Sequence, residues 1–290
     1  MKLILTLDAG TTALKGALFD LSGDMLCSRV HEYRLDNPAP DFVELDPEIY
    51  WDAAKNVIAE ILKTSAVPPE NISALGVTSQ GETLIVLDAH GKLLRKAIVW
   101  LDNRAKTEAE EIKSEFGREA VYRVTGQQDI APCWPAAKIL WLRRHEPQIF
   151  KSAARYLMLA DYLVYRLTGN FATDHALNPS TLYYDLRQGC WWREMMDFIG
   201  ISGLQLPALL DSGAGAGTIT ADVGLDRKTV VTVAPIDQVA AAVGAGNIAP
   251  GMITETTGCA LAVCATVDRP VYDPGMRIGQ LSFFTLSSPA

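Results

Sequence analysis

The chain begins with Lys2-Leu-Ile-Leu-Thr-Leu-Asp8-Ala-Gly10-Thr11-Thr12-Ala-Leu-Lys15-Gly-Ala-Leu-Phe-Asp20, and the fold is organised around this stretch. It predicts an apolar strand ending near Asp8, a turn of small and hydroxyl-bearing residues, and a second apolar strand. N–H groups and threonine hydroxyls in such a turn can donate to phosphate oxygens, and Asp8 can hold Mg²⁺ directly or through water. The alternative is a plain turn with Gly10 at positive φ.

The composition is that of a globular chain without the charge of a nucleic-acid binder. Its 290 residues are 49% apolar and 21% charged, and the formal net charge is −8. Nucleic-acid binding depends on a surplus of Lys and Arg, so we expect no nucleic-acid partner. No apolar run approaches the length of a membrane span and no signal peptide is visible, so we expect no membrane partner. The five cysteines, at positions 27, 133, 190, 259 and 264, form no C-x-x-C pair, which favours the reduced cytoplasm over a disulfide or zinc framework.

Strands and helices follow one another along the rest of the chain. A third strand is predicted from Met25 to Tyr33, followed by a helix with Asp46 as its N-cap and Pro47 in its first turn. The buried face of that helix is predicted to hold Ile49, Ala53, Val57, Ile61 and Leu62. Further strands are predicted over 72–78, 84–87, 97–101, 230–234, 252–255 and 260–266, and helices over 106–116, 134–146, 157–167, 191–199 and 239–246. The Gly/Ala-rich stretch 212–217 is predicted to be a flexible connector, and the whole order predicts an α/β protein.

Several stretches, in this order, resemble the FGGY carbohydrate kinases of the actin, hexokinase and chaperone ATPase superfamily. They are Asp8-Ala-Gly10-Thr11-Thr12 with Lys15, Ser79-Gln-Gly81-Glu82-Thr followed by Trp100-Leu-Asp102-Asn-Arg104, Pro135-Ala-Ala-Lys138-Ile-Leu-Trp141-Leu, the helix around Asp161, and Asp237-Gln238 followed by Thr256-Thr257-Gly258-Cys259. The resemblance implies a ribonuclease H-like (actin-like ATPase) fold, with a mixed sheet and flanking helices. It also implies an N-terminal, sugar-binding domain over residues 1–247 and the beginning of a C-terminal, nucleotide-binding domain over 248–290. Family members are roughly twice this length, so the second domain is expected to be truncated here.

The resemblance implies a kinase that uses ATP and Mg²⁺ to phosphorylate a hydroxyl of a sugar or polyol. Asp237 is the implied general base, although an Asp at that position also suits a helix N-cap. The implied phosphate ligands are Gly10, Thr11, Thr12 and Lys15 on one side and Thr257 and Gly258 on the other, with Asp8 at the metal. For Lys15 the alternative is a solvated strand lysine, and for the second loop it is an ordinary hairpin turn.

The implied sugar site has Glu82 as its main hydroxyl ligand, because a carboxylate accepts from two donors at once. Trp100 supplies an apolar wall or packs in the core, and Asp102 and Arg104 bind hydroxyls or pair with each other. Gln238 is a second hydroxyl ligand. Gly81 and Cys133 stand where glycerol kinases carry an Arg and a Tyr, so Gly81 is expected to leave space for a longer substrate. Ile236 replaces the usual Gly before the base.

Other functions stay open at this point. The same machinery serves a kinase of a modified sugar signal molecule, and a non-catalytic lobe that binds sugar or a partner is a third reading. An ATPase of the actin or chaperone type is disfavoured, because Trp100, Asp102, Arg104 and the Lys138-x-x-Trp141 pattern resemble sugar kinases. The resemblance also favours a homodimer.

Overall fold

A computed structural model describes residues 2–257 and 261–281. Sixteen strands occur in this part of the chain: β1 Leu3–Ala9, β2 Ala13–Asp20, β3 Met25–Glu32, β4 Glu44–Leu45, β5 Ile72–Ser79, β6 Leu84–Leu87, β7 Ala97–Ile98, β8 Arg155–Met158, β9 Ala172–Asp174, β10 Tyr184–Asp185, β11 Cys190–Trp191, β12 Ala208–Leu210, β13 Gly215–Thr218, β14 Val230–Val233, β15 Ile253–Thr257 and β16 Leu261–Ala265. The α-helices are α1 Pro47–Ser65, α2 Lys106–Phe116, α3 Arg118–Thr125, α4 Pro135–His145, α5 Pro147–Ser152, α6 Leu159–Thr168, α7 Arg193–Ile199 and α8 Asp237–Gly244.

A six-stranded mixed sheet forms the centre of the molecule. Its strand order is β13-β14-β5-β1-β2-β3. The strands β1 and β14 both run parallel to β5, whereas β2, β3 and β13 pair antiparallel with their neighbours. The carboxyl ends of β1, β5 and β14 therefore lie at one edge of the sheet, which is where open α/β sheets bind their ligands.

Helices α1 and α6 cover this sheet. Helix α1 packs on β2 and β3, and α6 packs on β5, β13 and β14. The predicted start of α1 is confirmed, because the Asp46 side chain accepts a hydrogen bond of 3.0 Å from the Glu48 N–H and Pro47 stands in the first turn. Val57 and Ile61 are buried as predicted, but Ile49 is 39% exposed and lies outside the buried face.

A second core lies beside the first. The four-stranded sheet β4-β7-β6-β8 and helices α2, α4 and α7 surround it, with Leu84, Ile139 and Met195 among its buried side chains. The strands β15 and β16 form a separate hairpin that contacts α8. Within the described ranges, no helix combines the length and apolar character needed to cross a bilayer.

Three sequence predictions of local structure need correction. The stretch 212–217 is not a free connector, because Gly215–Thr218 forms β13, the edge strand paired with β14. Residues 157 and 158, predicted as helix, end strand β8, and the helix begins at Leu159. The helix predicted from 191 begins at Arg193, since Cys190–Trp191 pairs as a short strand.

Candidate functional site

Hydrogen bonds tie the ends of the three parallel strands together. The Thr78 hydroxyl at the end of β5 donates to the Pro235 carbonyl after β14, at 2.6 Å. The Gln80 N–H donates to the carbonyl of Ala9 at the end of β1, at 3.0 Å. The segments that follow these strands are therefore fixed relative to one another, and they carry the carboxylates that the sequence singles out.

The turn after β1 has a defined conformation. The Gly10 N–H donates to the Ala13 carbonyl at 3.0 Å, and the buried Tyr33 hydroxyl donates to the Gly10 carbonyl at 2.5 Å. Thr11 is half-buried and Thr12 is exposed. These two hydrogen bonds fix the conformation of the turn, and Thr12 stays exposed to solvent.

Asp8 and Lys15 face each other across the β1–β2 pair. They are direct partners in the strand register, and Lys15 Nζ lies 3.9 Å from Asp8 Oδ2. The Lys15 side chain is 63% exposed and so remains available to a ligand. Burial raises the pKa of Asp8 and the Lys15 charge lowers it. Asp8 Oδ1 is buried and has no hydrogen-bond partner among the described residues.

Asp237 is the first residue of α8, and Ile236 occupies the N-cap position. The Asp237 carboxylate accepts a hydrogen bond of 2.7 Å from the Gln238 N–H, so it assists the helix start. Burial, and to a smaller extent the Asp8 carboxylate, raise the pKa of Asp237 to about 6, although the Gln238 N–H and the Lys15 charge lower it. Asp237 therefore lies within electrostatic reach of both Asp8 and Lys15.

Glu82 follows β5 with a backbone φ of 54°, in the left-handed region that a side-chain-bearing residue seldom adopts. Burial raises the pKa of its carboxyl, and the Ser180 hydroxyl and the Lys138 ammonium lower it. The Asp237 carboxylate raises the pKa of Glu82 as well. The predicted sugar ligand and the predicted base are thus electrostatic neighbours.

Lys138 holds the Glu82 backbone in place. Its fully buried ammonium donates to the carbonyls of Glu82 at 2.7 Å, Val99 at 2.9 Å and Ile98 at 3.4 Å. Burial lowers the pKa of Lys138, while the neighbouring Cys133 and the Asp102 and Glu82 carboxylates raise it. The sequence marks Lys138 as part of a helix pattern without giving it a task. Its burial could have been predicted from its neighbours in the sequence, because the residues on both sides of Lys138 in α4 are apolar.

Gly81 does not leave free space, so that expectation is wrong. A Cβ built on Gly81 would lie 2.5 Å from Ile236 Cδ1 and 3.6 Å from Ser180 Oγ. Two of the differences from the family pattern, Gly81 and Ile236, are thus linked, because the isoleucine side chain occupies the space beside the glycine. Neither Ile236 nor Ser180 was predicted as part of the site.

Trp100 links the segment after β7 to the first hairpin. Its indole Nε1–H donates to Thr11 Oγ1 at 3.0 Å, and its backbone N–H donates to Thr83 Oγ1 at 3.3 Å. The residue is half-buried, so part of it packs in the protein and part of it is exposed.

Asp102 and Arg104 pair with each other, the second of the two alternatives that the sequence allows. Arg104 Nη2 lies 2.7 Å from Asp102 Oδ2 and 2.7 Å from Glu44 Oε1, and its guanidinium lies 3.9 Å from the Phe42 ring centroid. The Arg104 side chain is 1% exposed and the Asp102 side chain is 0% exposed. The Val43 N–H also donates a hydrogen bond of 2.6 Å to the Asp102 carboxylate. Both residues are structural, and their prediction as hydroxyl ligands is corrected.

Cys133 and Gln238 complete the predicted sugar site. Burial raises the pKa of the half-buried Cys133 thiol to about 11, the Lys138 charge lowers it and Glu82 raises it. Cys133 therefore lies beside Glu82 as a protonated, weakly polar group. Gln238 is half-buried at the start of α8, next to Asp237.

The described residues of the second predicted phosphate loop are Thr256 and Thr257. Thr256 and Thr257 end strand β15, and the Thr257 hydroxyl lies 3.4 Å from Glu255 Oε1. The hydrogen bonds of the described residues include none between this strand and the first hairpin. Gly258 lies outside the described residues, so its predicted phosphate role stays a prediction.

The sequence of this chain matches a known protein family. Residues 3–244 match the family model described as the FGGY family of carbohydrate kinases, N-terminal domain. The chain belongs to the FGGY family of carbohydrate kinases. The match contains the first hairpin, the Glu82 segment and Asp237, and it ends before the β15–β16 hairpin.

Curated and solved FGGY relatives extend over nearly the whole chain. It is 31% identical over 274 residues to a glycerol kinase of Thermococcus gammatolerans, covering 92% of this chain and 55% of that protein. A ligand-bound xylulose kinase from Lactobacillus acidophilus superposes with a TM-score of 0.91 at 28% identity, covering 97% of this chain and 58% of the other. A gluconate kinase from the same organism superposes with a TM-score of 0.89 at 28% identity, covering 95% and 56%.

These matches confirm the predicted ribonuclease H-like, actin-like ATPase fold. The chain spans about half the length of the relatives it matches.

Proposed function

We propose that this FGGY family member contributes the sugar-binding half of a kinase that transfers the γ-phosphoryl group of ATP to a hydroxyl of a sugar or polyol. The observation that carries the proposal is the convergence of Asp8, Glu82 and Asp237 at the carboxyl edge of one sheet. The glycerol and xylulose kinases among the relatives support the same reaction class.

Asp237 is the proposed general base. Phosphoryl transfer needs a positioned acceptor for the proton of the attacking hydroxyl, and a buried carboxylate at a strand–helix junction suits that task. Because its pKa is raised to about 6, Asp237 is a stronger base than an ordinary aspartate and is still ionised at pH 7. Its ionised form is the active one, so kcat should rise as the pH rises through about 6.

The first hairpin is the proposed phosphate site. Thr11, Thr12 and the Gly10 turn offer hydroxyl and N–H donors, and Lys15 offers an exposed positive charge. Thr256 to Gly258 are proposed to contact phosphate from the opposite side.

The carboxylate of Asp8 fits Mg²⁺. The ion prefers oxygen ligands, and Asp8 Oδ1 is a buried carboxylate oxygen with no partner among residues 2–257 and 261–281. Asp8 would hold the ion directly or through water. When bound, Mg²⁺ neutralises negative charge on the transferring phosphoryl group.

Glu82 is the proposed principal sugar ligand, with Trp100 as an apolar wall and Cys133, Gln238 and Gly81 lining the site. The ion pair between Asp102 and Arg104 stabilises the segment that follows Trp100. The domain division at residues 247 and 248, the homodimer and the cytoplasmic location stay predictions.

An ADP-release assay on the full-length protein tests the proposal. The substrate panel contains ketoses, pentitols, tetritols and glycerol, with ATP and Mg²⁺ in every reaction. We expect ADP release that depends on one class of polyhydroxylated substrate. ADP release that is independent of every substrate, or absent with all of them, would contradict the proposed reaction.

A further inference from the structure

A side-chain hydrogen bond joins two segments that are 89 residues apart in the sequence. The Trp100 indole Nε1–H donates to Thr11 Oγ1 at 3.0 Å. An indole has one donor and no acceptor, so Thr11 accepts this bond with a lone pair and keeps its own hydroxyl hydrogen for a second partner. Thr11 is half-buried, and the exposed part of the residue can contact a ligand at the turn.

The backbone of Trp100 is held as well as its ring. Its N–H donates to Thr83 Oγ1 at 3.3 Å, and the Gln80 side-chain amide donates to the same oxygen at 3.1 Å. The Gln80 backbone N–H in turn donates to the Ala9 carbonyl at 3.0 Å. Together with the bond from Trp100 to Thr11, these contacts close a ring between the end of β1 and the segment after β5.

Buried members of this ring hold Trp100 in place. Thr83 is 0% exposed and Gln80 is 3% exposed, and hydrogen bonds in such a low-dielectric environment are stronger than in water. A threonine on its own can occupy several staggered rotamers, whereas the bond from the fixed indole favours one of them at Thr11. The hydroxyl is therefore oriented before a ligand binds, and preorganisation of this kind strengthens binding.

The hydroxyl of Thr11 has particular weight in this turn. The Gly10 N–H already donates to the Ala13 carbonyl, so it is occupied by the turn itself. Lys15 supplies an exposed positive charge close by, on the strand that follows the turn. A hydroxyl that donates to a phosphate oxygen forms a charge-assisted hydrogen bond, which is stronger than one between neutral groups.

We propose that Trp100 is a positioning residue for phosphate binding, because its indole N–H orients the Thr11 hydroxyl as a donor to a phosphate oxygen. This rests on the proposed phosphate role of the first hairpin, and it gives Trp100 a second task beside that of an apolar wall for the sugar. The two tasks are separable, since the wall requires an aromatic ring and the positioning requires the N–H.

Trp100→Phe separates the two tasks, because phenylalanine keeps an aromatic ring and lacks the N–H. Calorimetric titration of the full-length protein with Mg²⁺ and adenylyl imidodiphosphate, a non-hydrolysable ATP analogue, measures affinity on the phosphate side. We expect Trp100→Phe to bind the analogue about three- to tenfold more weakly than the wild type, the range of one hydrogen bond. Trp134→Phe is the matched control and should bind like the wild type, because the buried Trp134 Nε1 makes no hydrogen bond within the described ranges.

A double-mutant cycle with Thr11→Val tests whether Trp100 acts through Thr11. Valine keeps the shape of threonine and removes the hydroxyl. The double variant should bind the analogue about as weakly as Thr11→Val alone, since the indole then has no hydroxyl to orient. Thr6→Val on β1 is the control for this substitution and should leave the affinity unchanged, because the Thr6 hydroxyl donates to the Ala17 carbonyl at 3.2 Å within the sheet.

The nuclear magnetic resonance signals of the indole N–H groups give a readout without any ligand. The signal of Trp100 is identified by its disappearance in Trp100→Phe. We expect Thr11→Val to shift this signal and to speed its exchange with water, and we expect Thr6→Val to leave it unchanged. A Trp100 signal that is the same in Thr11→Val as in the wild type would contradict the inference.

The binding measurements also separate this inference from the proposed function. Wild-type affinity for the analogue in Trp100→Phe, or strictly additive losses in the double variant, would overturn the inference and leave the proposed kinase reaction standing. A wild-type protein that does not bind the analogue would overturn both, because the phosphate site itself would then be missing.

Discussion

Gly81 lacks a side chain at a position where Ile236 already occupies the volume. The 2.5 Å separation between a built Cβ and Ile236 Cδ1 is shorter than any real contact. Gly81→Ala requires the terminal methyl of Ile236 to shift, so it should lower the free energy of unfolding by about 1 kcal/mol, the low end of the cost of overpacking. Urea denaturation of the single and double variants measures this effect.

The double variant Gly81→Ala with Ile236→Ala is the control for that prediction. Removing the isoleucine branch makes room for the new methyl, so the loss in the double variant should be smaller than the sum of the two single losses. Strictly additive losses would show that the two positions do not share this space.

Asp102 and Arg104 show that the sequence alone does not decide between a ligand-binding role and a structural ion pair. Their spacing placed both near the sugar segment, and it allowed either hydroxyl binding or mutual pairing. The outcome depends on Glu44 and Phe42, which are distant in sequence and reach the pair only through the packing of β4 beside β7. The sequence positions of Asp8, Glu82 and Asp237 were easier to assign, because each lies near the end of a strongly apolar strand or shortly after it.

At the scale of the element, α4 contributes one buried lysine, Lys138, which holds the backbone at Glu82. Lys138→Met would leave three carbonyls without their donor and release the left-handed backbone at Glu82, whose conformation costs about 1–3 kcal/mol. We expect sugar affinity to fall by roughly tenfold, with a smaller loss of stability. Calorimetric titration of the sugar measures the first effect and thermal unfolding the second.

Lys151→Met on α5 is the matched control for Lys138, because Lys151 is exposed. It should leave sugar affinity and stability unchanged. Sugar affinity in Lys138→Met equal to that of the wild type would show that the lysine supports the fold without positioning Glu82.

Helix α6 starts with a buried acid that makes stability depend on pH. Asp161 accepts a hydrogen bond of 2.9 Å from the Met158 N–H, and burial raises its pKa to about 7, with the Asp174 charge adding to the rise. Because the folded state keeps the proton that the unfolded state loses, this group makes stability fall as the pH rises from about 4 to about 7, by up to about 1.4 kcal/mol per pH unit.

Asp161→Asn should flatten that part of the pH profile, since the amide cannot ionise and its oxygen can still accept from Met158. Denaturant unfolding between pH 4.5 and 8 measures the slope in both proteins. An unchanged slope would assign the pH dependence to other groups.

The elements that sequence reasoning placed correctly have strong local signals, and the ones it missed do not. Asp46 and Pro47 fix the start of α1 by capping chemistry alone. By contrast, β13 is a run of Gly and Ala that has no alternating pattern, and it is a strand because β14 offers it a partner. Gly217, at φ 143°, also lies against Asn170, whose side-chain amide donates to the Ala216 carbonyl at 2.9 Å. Such pairing is a tertiary effect that a local pattern does not contain.

At the scale of the molecule, the segment after β16 returns to the second core. The Gln280 N–H donates to the Gly126 carbonyl at 2.9 Å, and the Tyr122 hydroxyl donates to the Ile278 carbonyl at 3.0 Å. The β15–β16 hairpin is therefore anchored to α8 on one side and to α3 through its following segment on the other. The order of motifs predicted the family and the fold, but not these returning contacts.

The central claim is that Asp237 acts as the base beside a sugar bound at Glu82, at one edge of the sheet. Asp237→Asn keeps the size of the side chain and the acceptor for the Gln238 N–H, so the helix start should persist. The measurement is kcat for ADP release by the full-length Asp237→Asn protein, with sugar affinity measured in parallel. We predict that kcat falls by roughly 10²–10⁴-fold while sugar affinity stays within about twofold of the wild type. A variant that turns over within a few-fold of the wild-type rate would contradict the claim.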